Sequence, residues 1–119
     1  MDLWEFGRPD APVVLLLLET PSPRLAESPL CQKLGRLYRM IIPRLPRRPG
    51  TRETDELDRL LQERCGGSVY AVCCTEGTWT LLRTLLARRR ISPVKVLLEE
   101  TAAGAPETAV DLVEDTLMQ

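Results

Sequence analysis

The sequence predicts a three-layer α/β domain built on a mainly parallel sheet. Three observations lead there. Short apolar runs alternate with segments of helical period along the whole chain. The runs are continuously apolar, the pattern of strands covered by helices on both faces. No linker-like stretch interrupts the 119 residues, so one domain, 1–119, with one core is expected.

The elements follow in order. Residues 3–6 form a short strand that can add at a sheet edge. Gly7, Arg8, Pro9 and Asp10 have turn chemistry. Residues 12–18 are the first buried strand. Residues 19–23 form a loop. Ser28 before Pro29 fits a helix cap and first helical position, and Leu30, Leu34, Leu37 and Tyr38 then share a face. Residues 40–42 make the second buried strand. Residues 44–50, with Arg44, Pro46, Arg47, Arg48 and Pro49, are irregular. A helix opens with acidic residues near position 54, carries Leu57, Leu60 and Leu61 inward, and stops at Gly66-Gly67. Residues 68–74 are the third strand. Residues 77–90 are a helix with Leu81, Leu82, Leu85 and Leu86 on one face. Residues 94–98 are the fourth strand. Pro106 opens a last helix through Met118, bearing Ala109, Val110, Leu112, Val113 and Leu117. Strand–helix alternation of this kind implies right-handed parallel crossovers.

Composition removes most chemistries. The chain contains no histidine. Histidine is the usual general base at neutral pH, so Ser-His-Asp, Cys-His and most zinc arrangements cannot be assembled within this chain. Net charge is −1, which argues against nucleic-acid binding by bulk charge. The longest apolar run is far too short to span a bilayer, and no basic leader precedes it. Four cysteines, Cys31, Cys65, Cys73 and Cys74, form no CxxC pair. Cys73 and Cys74 are adjacent on a strand and face opposite ways. They read as reduced, buried thiols of a cytoplasmic protein. Pro21-Ser22-Pro23 occupies the place of a phosphate-cradling glycine turn, so no nucleotide cofactor is expected.

Residues 3–7 (Leu-Trp-Glu-Phe-Gly) followed by Pro12 and the run to Leu17 resemble the start of a small bacterial-type α/β-hydrolase. Residues 65–73 resemble the strand leading to that family's nucleophile elbow, and residues 91–99 its next strand. The resemblance covers nearly the whole chain but about half of such an enzyme. It implies the sheet order second strand, first, third, fourth, with residues 3–6 at the edge. The family's catalytic motifs are absent. Where its members carry His-Gly after the first long strand, this chain reads Leu18-Glu19-Thr20. Where they carry Pro-Gly-His-Gly, it reads Pro46-Arg47-Arg48-Pro49. Where they carry Gly-x-Ser-x-Gly, it reads Cys74-Thr75-Glu76-Gly77-Thr78, with Glu76 at the serine position. A shift of one residue puts Thr75 there instead. Cys74 and Thr78 in place of the elbow glycines point to a relaxed turn. The family's later acid and histidine would lie beyond residue 119.

Such a sheet has its topological switch point between the strands ending at Leu18 and Cys74, where crevice ligands bind. Glu19, Thr20, Thr75, Glu76 and Gly77 would line it. Glu76, Glu19 and Thr75 are the candidate catalytic groups. Glu76 is equally explained as a carboxylate complementing a helix N-terminus. Glu19 facing Glu76 would form a carboxylate pair able to act as acid and base, or to hold a cation. Arg44, Arg47, Arg48 and Arg52 form a candidate anion site for an acidic protein partner, or simply a solvated loop. Cys73-Cys74 and Trp79 are expected in the core, and Arg88, Arg89 and Arg90 at a helix C-terminus.

The expected function is therefore a non-catalytic hydrolase-like domain, a degenerate natural relative or an engineered scaffold. The alternatives are a carboxylate-dependent or metal-binding enzyme, and an interaction module working through the arginine loop. The edge left at residues 94–98 suggests a homodimer.

Overall fold

Among the described residues, five strands form one sheet in the order β1-β3-β2-β4-β5. They are β1 (Leu3–Gly7), β2 (Val13–Leu17), β3 (Arg39–Pro43), β4 (Ala71–Thr75) and β5 (Lys95–Glu99). The helices are α1 (Pro29–Gly35), α2 (Thr51–Cys65) and α3 (Trp79–Ala87), and short 3-10 turns cover Leu25–Glu27 and Glu76–Thr78. The computed structural model describes residues 1–21, 24–27 and 29–99. The expected cap at Ser28 and the expected helix 106–118 lie outside the described residues.

β2 pairs in parallel with β3 and β4, and β4 with β5. β1 runs antiparallel to β3 and closes one edge. This is the predicted order. Every residue of β2 is buried, as a strand with helices on both faces requires.

The sheet splits the core by strand parity. Val13, Leu15, Leu17, Ile41, Val72 and Cys74 face Leu57 and Leu61 of α2 and Leu81, Leu82 and Leu85 of α3. Val14, Leu16, Leu18, Met40, Ile42 and Cys73 face Cys31 and Leu34 of α1. Cys73 and Cys74 thus lie on opposite faces, both buried and neither in a disulfide. Trp79 is partly buried against the α2–α3 side. The two steps toward β5, through α2 and α3, use one face, and the step from β2 to β3 through α1 uses the other. That is the arrangement a single crossover hand produces.

Several element limits differ from expectation. β4 begins at Ala71, not at position 68. The end of α2 holds those residues: Gly66 is left-handed (φ 61°), Gly67 N donates to Leu61 O and Ser68 N to Cys65 O. α2 begins at Thr51 rather than near 54, because Gly50 is its cap and Gly50 N donates to the Glu53 carboxylate at 3.0 Å. Arg52 therefore belongs to the first turn of α2 and not to the irregular loop. The helix expected over 77–90 is a 3-10 turn followed by α3. It stops before its three arginines: Arg89 turns left-handed (φ 56°), and its N–H donates to Leu86 O. Arg88 and Arg90 pair with Asp55 (2.8 Å) and Asp58 (3.0 Å) of α2, so they tie two helices together rather than only complementing a helix end.

Candidate functional site

The switch point of the sheet lies at the C-terminal ends of β2 and β4, where Leu17 is registered with Cys74. β2's chain leaves toward β3, and β4's leaves toward β5. In open α/β sheets the diverging connections leave a crevice there.

Here the chain's own Glu19 reaches the crevice. Beyond β2, Glu19 makes a parallel bridge with Leu45, and Thr20 N donates to Leu45 O at 2.9 Å. Thr20 takes up a positive φ of 41° to do so. The Glu19 carboxylate folds over the start of the β4–α3 turn. One oxygen accepts from Arg48 N at 3.1 Å. The other occupies the space a β-carbon at position 77 would need, so a larger residue there would displace the carboxylate.

The β4–α3 turn is unstrained. Thr75 is extended (φ −102°, ψ 173°), and Trp79 is already helical (φ −60°, ψ −42°). Among the described residues, positive φ occurs at Thr20, Arg48 and Arg89 and at Gly7, Gly66 and Gly67, never between positions 74 and 78. Thr75 is buried, while Glu76 and Gly77 are exposed. The expected relaxed turn is what forms, and neither alignment of the elbow places a strained, presented nucleophile.

Thr78 holds this junction together, a role sequence reasoning missed. It is fully buried. Its hydroxyl accepts from Thr75 N at 3.0 Å and lies 2.7 Å from Leu17 O, to which it donates. One side chain thereby links the end of β2 to the start of the turn after β4. The Thr75-x-x-Thr78 spacing, with a hydroxyl residue reaching back to a helix-start N–H, was the available signal.

The remaining candidates are scattered. Glu19 accepts from Arg48 N and lies against Gly77. Among the described residues no three His, Cys, Asp or Glu side chains cluster closely enough to hold a metal ion. Thr20 lines a separate open cleft of about 430 Å³ with Asp2, Pro21, Arg44, Leu45 and Pro46. Of the four arginines, Arg44 lies over the Trp4 ring at 5.5 Å and 3.6 Å from Asp2. Arg52 pairs with Glu56 at 3.1 Å. Arg47 and Arg48 are exposed, flanking the strap that Arg48 N makes with Glu19.

The Cys74 thiol is buried and held protonated, which disfavours it as a nucleophile. Burial pushes it up to about 11 from its ordinary 9.0. A raised folded-state value means stability is full below pH 9 and is lost as pH rises through about 11. That interval corresponds to roughly 2–3 kcal/mol at its upper end. Cys74→Val should remove this part of the alkaline slope. Urea midpoints measured from pH 8 to 11 for both proteins check it, and parallel curves would refute the assignment.

A doubly covered parallel sheet, an antiparallel edge strand and a strand–turn–helix at its switch point define an α/β-hydrolase-like domain. Solved structures bear this out. The chain is similar to a putative α/β hydrolase family protein from Desulfitobacterium hafniense, with 19% identity and a TM-score of 0.65 over 98% of this chain and 52% of that one. It is similar to a thioesterase domain from the curacin biosynthetic pathway, with 21% identity and a TM-score of 0.62 over 96% and 49%. It is also similar to a loop variant of a haloalkane dehalogenase from Bradyrhizobium elkanii, with 22% identity and a TM-score of 0.61 over 94% and 45%. The chain thus spans about half the length of these structures. No protein-family model matches it, and no curated protein matches it in sequence.

Proposed function

We propose that this chain is a non-catalytic α/β-hydrolase-like domain that acts by binding. One observation carries the reading: the Glu19 carboxylate, held by Arg48 N, rests at the switch point against Gly77. The place where this fold takes a reacting ligand is occupied by the chain's own side chain. The neighbouring Thr75 is buried in an ordinary turn, and the 119 residues themselves carry no histidine that could activate it.

A carboxylate-dependent reaction would need Glu19 and Glu76 to face one substrate. Glu19 is instead committed to the strap, and Glu76 stands exposed. Hydrolysis of p-nitrophenyl esters of short and long acids is expected at the buffer rate. Turnover above buffer that is abolished in Glu76→Ala would overturn the reading.

A second observation favours an acidic protein as the partner. Arg47 and Arg48 project between Pro46 and Pro49, and among the described residues neither side chain makes an ion pair. Proline restricts the loop and lowers the entropy lost on binding.

A further inference from the structure

The two edges of the sheet are protected unequally. Among the described residues, β1 and β5 each have a strand on one side only, β3 and β4 respectively. Such an edge offers unpaired N–H and C=O groups to any strand that approaches. β1 blunts its edge. It carries a charge at its centre, the exposed Glu5, which lies 2.8 Å from Arg39 and 3.5 Å from Arg64. It ends at Gly7, whose φ of 97° stops the extended strand. β5 has neither device. Its sequence, Lys-Val-Leu-Leu-Glu, has three apolar residues at the centre, charges only at its ends and no proline. Val96 is registered with Val72, which packs on the α2–α3 side of the core, so Val96 emerges on that face. It is 42% exposed, and Val94, just before the strand, is 74% exposed.

We infer that β5 pairs antiparallel with β5 of a second copy of this chain, about a two-fold axis at Leu97. Charge complementarity along the strand selects this occupant. Antiparallel pairing centred on Leu97 sets Lys95 of each copy level with Glu99 of the other, and Val96 level with Leu98. Opposite charges directly across a strand pair stabilise it, and like charges there do the reverse. Either neighbouring centre, Val96 or Leu98, sets a charge opposite Leu97 and loses both charged pairs. The sequence of β5 therefore matches itself in one register. The two-fold axis also closes the assembly. Both β5 edges are used, and the joined sheet ends on each side in the protected β1. Nothing in this assembly depends on the chemistry of the switch point.

Light scattering and charge exchange in the full chain test it. At high micromolar concentration the wild-type mass should be twice that of one chain. Lys95→Glu and Glu99→Lys should each weaken dimerisation by about tenfold or more at low salt, because the symmetry turns both charged pairs into like charges. An equimolar mixture of the two variants should recover dimers, since an acidic edge then meets a basic one. The chain carrying both substitutions should dimerise like the wild type. Strand amides alternate in direction, so the β5 amides that β4 does not bond should exchange faster when the wild type is diluted to monomer. That measurement decides the matter even where a variant does not fold. A monomeric wild type at high micromolar concentration, dimers indifferent to either single substitution, a mixture that stays monomeric, or β5 exchange unchanged on dilution would each overturn the inference.

Discussion

Gly7→Ala is expected to destabilise the domain by about 3 kcal/mol, lowering its melting temperature by roughly 10 °C or more. Gly7 ends β1 with φ 97°, a region L-residues rarely enter. A methyl group there would collide with Tyr38 O and lie 2.9 Å from Gly35 O. Both obstacles are backbone, so no side chain can swing aside. The contact is required because β1 pairs with β3 through Gly7 and Arg39, while Arg8 N donates to Tyr38 O just beyond. The turn ending α1 is thereby pressed onto the edge strand. Gly66→Ala is the matched control. Gly66 is also left-handed (φ 61°), but nothing lies within 4 Å of its missing methyl. It should cost only about 1–2 kcal/mol, the backbone preference alone. Urea unfolding of the two variants separates strain from collision. Equal losses would show that the approach at Gly7 is not tight.

Thr78→Val is expected to cost about 2–4 kcal/mol although it preserves shape. The substitution leaves Thr75 N and Leu17 O facing an apolar methyl in a fully buried position. An orphaned buried donor or acceptor costs about 1–3 kcal/mol each. Thr78→Ser keeps the hydroxyl and loses one methyl, so it should retain most of the stability. Amide hydrogen exchange at Thr75 gives a local reading, since its protection should fall in the valine variant and hold in the serine one. If valine is tolerated as well as serine, the hydroxyl is not what joins β2 to the turn.

The sheet was legible because strand burial is written as unbroken apolar runs. Residues 13–17 and 71–74 admit no face that could meet water, so helices on both sides follow. The limits of the elements were less legible. Gly66 and Gly67 announce the end of α2, but the bonds they make back into the helix carry the turn through position 68. The arginines at 88–90 read as the end of a helix because cations complement a helix C-terminus. Asp55 and Asp58, more than thirty positions earlier, draw two of them out to α2.

What the sequence determined by itself is local and compositional: the α/β alternation, the strand order through the family resemblance, the absence of a histidine base and the relaxed turn signalled by Cys74 and Thr78. What only the tertiary structure decided is who meets whom at the switch point. Nothing in residues 18–20 says that Glu19 will accept from Arg48 N and rest on Gly77. That choice depends on Thr20 adopting a positive φ and on Leu45 bridging to Glu19. These are contacts between segments more than twenty residues apart, and their energies depend on distance and burial, which a one-dimensional pattern does not carry. For that reason the Glu19 carboxylate rests beside Gly77 at the crevice between the strands.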